Sequence, residues 1–549
     1  MRDRLGALRQ EERLAVLAAF FCLLFFAAAK KSRCRPAQGR RLNGKHRNAD
    51  ARETTSKPTS PAQRKKPNPQ QRRRQKPNQT KTMPLAIGTF IVPLIVACAM
   101  FMENVDSTVL VTSLPVLARD LGHDPITLKL AITAYVIGLG VFIPVCGWVA
   151  DRYGPRSVFR TAIGIFMAGS LMAAASTTLP LFVAARFVQG IGGAMMVPVG
   201  RIIIFRSVPK SDFIRAVNYL TVPALLGPVV GPPLGGFITT YLHWRLIFVV
   251  NIPIGLFGIW LTNKHIANMR EAHPGPLDWT GFALSAGGAS LFMLGLSLVG
   301  GELVSDRVSV TMCVLGAALL LVYWRYASRV ERPVLDLRLL RIPSFHASVV
   351  AGSLFRIGLG AVPFLLPLAL QEGLGMTPFT AGTITCASAF GSIFMKTIAS
   401  SVLARFGFRR VLMFNAVLAG CAIASYGLFG PGTPHAVIWF VVLFGGVFPS
   451  LQFTSLNSLA YADIPSRDVG RATSVASVVQ QISLGLGVTI AGIVLQISHN
   501  VQGHPTIVWT DFWPAFLVVG LFSLASIPVT AKLPHNSGEE LARGGRGEA

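Results

Sequence analysis

From Met83 onward the sequence is cut into about fourteen apolar runs of spanning length, and no other feature restricts the fold as much. They lie near 86–104, 128–150, 158–176, 181–205, 214–240, 246–263, 279–299, 308–326, 346–370, 380–403, 410–429, 435–459, 471–497 and 512–531. A bilayer core about 30 Å thick takes about 20 apolar residues of helix, so each run reads as a membrane span. Composition agrees: 52% of the chain is hydrophobic and 14% is charged, against about 25% charged in soluble domains. A soluble all-helical core is the alternative, and so many uninterrupted runs count against it. Gly and Pro recur inside the runs, which neighbouring helices tolerate in lipid. The expectation is an all-α integral membrane protein.

Sorting the connections by Lys and Arg gives the orientation. One set carries Arg152, Arg156 and Arg160; Arg206, Lys210 and Arg215; Lys264 and Arg270; Arg325, Arg329, Arg332, Arg338 and Arg341; Arg405, Arg409 and Arg410; and Arg467 and Arg471. The alternate set is short and poor in cations. The positive-inside rule assigns the first set to the cytoplasm, and an even number of spans then leaves both termini cytoplasmic.

The net charge of +27 is concentrated ahead of the spans. Residues 30–82 hold eighteen Lys and Arg against two acids, among many Pro, Gln, Asn and Ser. That is a basic, low-complexity, disordered composition able to meet anionic lipid or nucleic acid through phosphates. It lacks interleaved aromatics for base stacking, so a solvated tail is preferred to a nucleic-acid arm. The run Leu14–Ala29 is short for a span, and Met83 reads as a natural start; residues 1–82 are expected to be an appendage or an over-extended start. The seven Cys are scattered, with no CxxC pair, so neither a disulfide framework nor a metal site is expected. There is no Walker A loop and no nucleophile arrangement, which argues against ATP-driven export and against an enzyme.

Two stretches repeat. "GWVADRYGPRSVF" has an echo in "SSVLARFGFRRVL" that sets Gly154 on Gly407, Arg152 on Arg405 and Arg156 on Arg409, while Asp151 meets Ala404. "RAVNYLTVPALLGPVVGPPLGG" from Arg215 echoes "RATSVASVVQQISLGLGVTIAG" from Arg471, and both offsets are close to 255 residues. Two matching halves with a site at their interface is a secondary-transporter pattern. The expected organisation is a tail over 1–82, a six-helix bundle over 83–265, two inserted helices and a linker over 266–340, a second six-helix bundle over 341–533, and a tail over 534–549.

Five motifs in order carry a family resemblance: "VDSTVLVTSLP" from Val105, "GWVADRYGPRS" from Gly147, "RFVQGIGGA" from Arg186, "GPVVGPPLGG" from Gly227 and "WRLIFVVNIPIG" from Trp244. Over nearly everything from Met83 to about Leu533, the chain resembles the major facilitator superfamily, and within it the fourteen-span drug:proton antiporter group. "FRIGLGAVPFLLPLALQ" and "SIFMKTI" further resemble MdtD-type bacterial multidrug transporters. The resemblance implies two six-helix bundles plus two additional helices, residence in the bacterial inner membrane, and export of drugs or other small molecules driven by the proton gradient, with no cofactor.

Glu103 and Asp106 share a helix face, near the outer end of the first span as its run is bounded here. An acid in lipid is costly and should face a cavity or a partner. The resemblance makes Asp106 a proton-coupling acid and Arg186 part of the coupling, with Gln189 one turn on; Glu103 is a second coupling acid or a ligand for a cationic substrate. The structural alternatives are an interfacial acid and a snorkelling Arg. The resemblance implies that Gly147, Asp151, Arg152, Gly154 and Arg156 form a gating loop in which Asp151 closes a charge latch between the bundles, the glycines permitting close approach and unusual backbone angles; the alternative is that Arg152 and Arg156 merely set orientation. Gly227, Gly231, Gly235 and Gly236 give a smooth helix face and Pro228, Pro232 and Pro233 bend it, as an antiporter seal or as simple packing. Arg356 and Lys396 could attract an anion or pair across the cavity with Glu103 or Asp106; Gln371, Gln452, Asn457, Gln480 and Gln481 are candidate cavity hydrogen-bonders. The expected partners are a small-molecule substrate, protons and the lipid bilayer, on a monomer. Rival readings are a metabolite, amino-acid or siderophore transporter on the same fold, and a membrane-anchored lipid or nucleic-acid binder acting through the basic tail.

Overall fold

The computed structural model describes residues 85–208, 213–267, 275–300, 303–331, 333–465, 468–504 and 506–533; for 85–90, 205 and 213–225 it describes the backbone alone. The basic tail over 1–82, the tail over 534–549, and Lys210, Arg270, Arg332 and Arg467 lie outside the described residues.

Fourteen rods follow one another: α1 (Leu85–Leu121), α2 (Lys129–Tyr153), α3 (Pro155–Ala175), α4 (Leu179–Ser207), α5 (Phe213–Tyr241), α6 (Leu246–His265), α7 (Trp279–Leu298), α8 (Asp306–Ala327), α9 (Pro343–Gly373), α10 (Pro378–Phe406), α11 (Phe408–Leu428), α12 (His435–Ala460), α13 (Val469–Gln502) and α14 (Trp509–Ala531). Thirteen of them are long and apolar enough to cross a membrane among the described residues, and α5 has 29 residues. Two joints deserve their glycines. Gly154 (φ +86°) turns α2 into α3, and Gly407 (φ +75°) turns α10 into α11. Both sit where a side chain would strain the backbone, and they are the two residues that the sequence repeat superposes.

One boundary differs from the sequence reading. The first apolar run ends near residue 104, yet α1 continues without interruption to Leu121. Asp106, Ser107, Thr108, Thr112 and Ser113 lower the hydropathy there, but each is satisfied inside the protein: the Ser and Thr hydroxyls donate to carbonyls three or four residues back on α1. Glu103 and Asp106 therefore lie near the middle of a 37-residue helix, not near its outer end.

Helices α1–α6 pack on one another, as do α9–α14, and the halves meet through α5 on α10, α2 on α13 and α1 on α9. On the face bearing the α1–α2 turn they share a buried apolar cluster that includes Leu110, Leu114 and Leu117 from α1 and Phe364, Leu365 and Leu368 from α9. Among the described residues, hydrogen bonds join them there from Arg119 to Glu372 (2.8 Å), from Gln371 Nε2 to the Thr112 carbonyl (2.9 Å) and from Phe379 N–H to Thr240 Oγ1 (3.2 Å). Toward the opposite face a second shared cluster joins Ile143, Cys146 and Ala150 of α2 to Phe345 and Val349 of α9 and Val475 and Val478 of α13, and the second half has a further one of its own with Phe355, Leu403, Leu412 and Leu459.

The inserted pair is unequal. Helix α7 packs on both α2 and α13. Ser297 Oγ donates to Thr133 Oγ1 (3.1 Å) and shares a 2.8 Å hydrogen bond with Thr489 Oγ1, so one hydroxyl touches both halves. Helix α8 leans on α7 and leaves Val310, Val314, Leu315, Leu321 and Val322 exposed, as a lipid-facing surface should. At the start of α7, Asp278 caps Gly281 N–H and accepts from Tyr326 Oη. In the following linker, Asp336 is bound by Arg338 (2.8 Å) and Arg471 (3.5 Å). The Arg338 hydrogen bond is the largest cause holding the Asp336 carboxyl below its usual 3.8. Its contribution to stability is present above the ordinary value and disappears as pH falls through the lowered one, so it is constant across the neutral range.

Candidate functional site

The motif residues of α1, α4 and α6 converge on one carboxylate. Asp106 and Arg186 are each 1% exposed. Arg186 Nη1 donates to Asp106 Oδ2 at 2.6 Å. Gln189 Nε2 and Asn251 Nδ2 both donate to Oδ1, each at 2.7 Å. The second hydrogens of both amides go to Ser170 Oγ, at 2.8 and 3.2 Å, and Gln189 Oε1 accepts from Arg186. All three groups that reach Asp106 are nitrogen donors, so the pocket is complementary to a carboxylate. An ion pair this deep is tolerable only with such hydrogen bonds, because desolvating both charges costs several kcal/mol each.

A second layer leads from this pair to Glu103. The Arg186 guanidinium lies over the Tyr135 ring, 4.6 Å from its centre, and Tyr135 Oη is 3.5 Å from Glu103 Oε1. Among the described residues, Glu103 Oε2 and Arg186 Nε are buried without hydrogen-bond partners. The structure thus brings together Asp106, Arg186, Gln189 and, through Tyr135, Glu103. It adds Ser170, Asn251 and Tyr135. Asn251 lies inside the "WRLIFVVNIPIG" stretch; Ser170 and Tyr135 carry no motif signal.

The expected gating loop is only partly a loop. Gly147 is helical, with open space where a Cβ would stand, so neither close approach nor an unusual angle explains it; Gly154 alone has that role. Asp151 pairs with Arg206 at the end of α4 (2.8 Å), within the first half and not across the bundles in this state. Arg156 Nη2 donates to the Asn263 carbonyl of α6 (2.7 Å), and Arg152 is exposed. The Asp151–Arg206 side chains are 34% and 28% exposed, and such pairs contribute at most about 1 kcal/mol. Asp151→Asn is therefore expected to leave thermal stability within about 1 kcal/mol of wild type while slowing turnover several-fold. Unchanged turnover in vesicles would remove the loop from the gating machinery.

The glycine face of α5 divides its work. Gly227, Gly231 and Gly235 stand against Asn104, Thr108 and Val109 of α1, inside one half. Gly236 faces the backbone of Pro378 and Phe379 on α10, and Gly382 faces Pro232 in return, so this end of the motif joins the halves. A Val at 236 would meet backbone rather than a movable side chain. Gly236→Val is expected to part α5 from α10, to raise thiol labelling of a cysteine placed on Thr240, and to cut transport severalfold. Wild-type labelling and transport would show the contact to be slack.

Of the remaining candidates, Gln371 closes the α1–α2 face and Gln452 bonds Asn415 and the Leu412 carbonyl inside the second half. Arg356 is bound to Asn457, not to Glu103 or Asp106, whose own partners are Tyr135 and Arg186. Lys396 is exposed on α10, and Gln480 and Gln481 are half-buried on α13. Among the described residues no group of three His, Cys, Asp or Glu could hold a metal.

Residues 96–279 and 348–547 match the profile of the Major Facilitator Superfamily. The chain is 34% identical over 452 residues to the "Probable transport protein HsrA" of Haemophilus influenzae, covering 82% of this chain and 97% of that one. It is 38% identical over 401 residues to the "Putative multidrug resistance protein MdtD" of Serratia proteamaculans, covering 73% and 84%. Solved structures share the fold at low identity: a POT family transporter in complex with 5-aminolevulinic acid (16% identity, TM-score 0.60, 82% of this chain and 96% of that one) and a D-xylose-proton symporter (14%, 0.58, 82% and 99%). The chain belongs to the major facilitator superfamily: it is a multi-pass transport protein of the inner membrane, not an enzyme.

Proposed function

We propose that the protein exports drugs or other small molecules across the bacterial inner membrane in exchange for protons, as a monomer that alternates access between its two halves. The observation that carries this reading is the Asp106 carboxylate, buried in mid-helix and held from α4 and α6 by Arg186, Gln189 and Asn251. A proton on Asp106 would cancel the ion pair and turn one acceptor oxygen into a donor facing donors. The links from α1 to α4 and α6 would loosen, and Arg186 would be left next to Tyr135 and Glu103. Two protonation states then favour two arrangements of the same helices, which is the differential affinity that coupled exchange requires. If the cation-rich connections are cytoplasmic, the hydrogen-bonded contact between the halves on the α1–α2 face lies on the outside. The names of the MdtD relatives support drugs as the exported class.

Purified protein in proteoliposomes under an imposed pH difference tests the reading. Drug movement against the proton gradient, with measurable alkalinisation or acidification at a fixed ratio, is expected. Drug flux that is indifferent to the pH difference would sink antiport and favour a uniporter.

A further inference from the structure

The second half holds a buried cation that the coupling network does not use. Arg356 lies on α9, about 20 Å along the helix from Pro343 at 1.5 Å per residue, and is 4% exposed. Its guanidinium folds back over Gly352, where a Cβ would strike Nη1 at 2.5 Å, so the missing side chain makes the groove it occupies. Nη2 donates to Asn457 Oδ1 of α12 at 2.8 Å, and the ring of Phe453 lies 5.4 Å from its carbon. Those are its neutral partners. Nε is buried with no hydrogen-bond partner, and among the described residues no carboxylate is within ion-pair distance of it. Burial drives a lysine or carboxyl toward its neutral form, but guanidinium keeps its charge, so the cost stands until an anion arrives.

We propose that Arg356, held by Asn457 over Phe453, is an oxyanion site that takes a carboxylate or a phosphate-type group. Five donors in a planar fork fit such a group with two parallel hydrogen bonds, and Nε is the donor left open for it. The repeat strengthens the assignment. The register that sets Gly154 on Gly407 sets Glu103 on Arg356, and it brings Pro115 of α1 within one residue of Pro367 of α9. The halves therefore present an acid and a base at equivalent positions of their first helices: a carboxyl with an unpartnered buried oxygen in one, a guanidinium with an unpartnered buried nitrogen in the other. As a substrate site this rests on the transport reading above, and it extends the carried compounds to those bearing an acidic group.

The test is binding to the full purified chain in phosphatidylcholine nanodiscs, read by thermal stabilisation with three probes on one ring: benzoate, phenylphosphonate and benzylammonium. The two anions are expected to stabilise wild type, with half-saturation weakened at least tenfold in Arg356→Gln and in Asn457→Asp. The second variant neutralises Arg356 from within and keeps the question open if the first fails to fold. The benzylammonium response should not change in either. Discs containing phosphatidylglycerol separate the two sources of the oxyanion. Stabilisation of wild type by that lipid, to which the probes then add nothing, assigns the site to a headgroup; a probe response that persists assigns it to a small molecule. Equal responses of wild type and both variants to the anions and to the lipid overturn the proposal. Binding involves no proton movement, so its failure leaves antiport standing, and loss of antiport leaves this result standing.

Discussion

Asp106→Asn is expected to reduce proton-driven efflux in everted vesicles to the level of vesicles without the protein. Asn has the same shape and still offers Arg186 an oxygen, but it cannot exchange a proton. Its amide hydrogens would face a site in which Arg186, Gln189 and Asn251 all donate. At least one donor is left unsatisfied, at about 1–3 kcal/mol. Thermal stability should therefore fall measurably without loss of the fold. Counterflow, in which labelled and unlabelled substrate exchange without net proton movement, should persist, because the helices can still alternate. Asp106→Glu keeps a titrating group but lengthens it into a closed pocket, so it should retain a fraction of efflux. Wild-type efflux by a folded Asp106→Asn protein would remove Asp106 from the coupling step.

The parts of this site that were legible in the sequence are the ones that sit in a family motif or are anomalous in lipid. Arg186 and Gln189 lie inside an apolar run, where such residues are expensive, and Asp106, just past the first run, stood out through the motif "VDSTVLVTSLP" that carries the family resemblance. Asn251, Ser170 and Tyr135 did not. Small polar and aromatic residues are ordinary in spans, and only packing shows that both amides share one serine oxygen. Charge pairing was legible less well. The loop around Asp151 offers many cations, and its choice of Arg206 is a matter of which helix end lies nearest. Hydropathy also misplaced the end of α1, because it counts the polar residues of that helix as exposed when they are internally bonded. In the sequence, α7 and α8 fall between the two repeats and match neither. That α7 would lie against both halves, through Ser297, has no sequence signal at all.

Arg186→Ala is expected to be the most destabilising single change in the molecule's first half. It leaves the Asp106 carboxylate buried with two amide donors and no counter-charge, which costs about 3–5 kcal/mol for a broken buried pair. It also removes the cation from the face of Tyr135, worth about 0.5–2 kcal/mol. Membrane proteins often unfold irreversibly, so the useful measurement is the half-life of the purified protein at fixed temperature, taken for both singles and the double. Arg186→Ala with Asp106→Asn removes both charges together. The double variant should regain most of what Arg186→Ala alone loses, and it should remain inactive in proton-driven efflux. That combination separates two roles which a single variant confounds: the pair as a structural unit, and the acid as the group that carries the proton. If the double variant is as short-lived as Arg186→Ala, the loss comes from the cavity left by the arginine, and the ion pair is not what holds α1 to α4. If the double variant transports, the proton travels by another group, and Glu103, linked to this pair through Tyr135, is the acid to replace next.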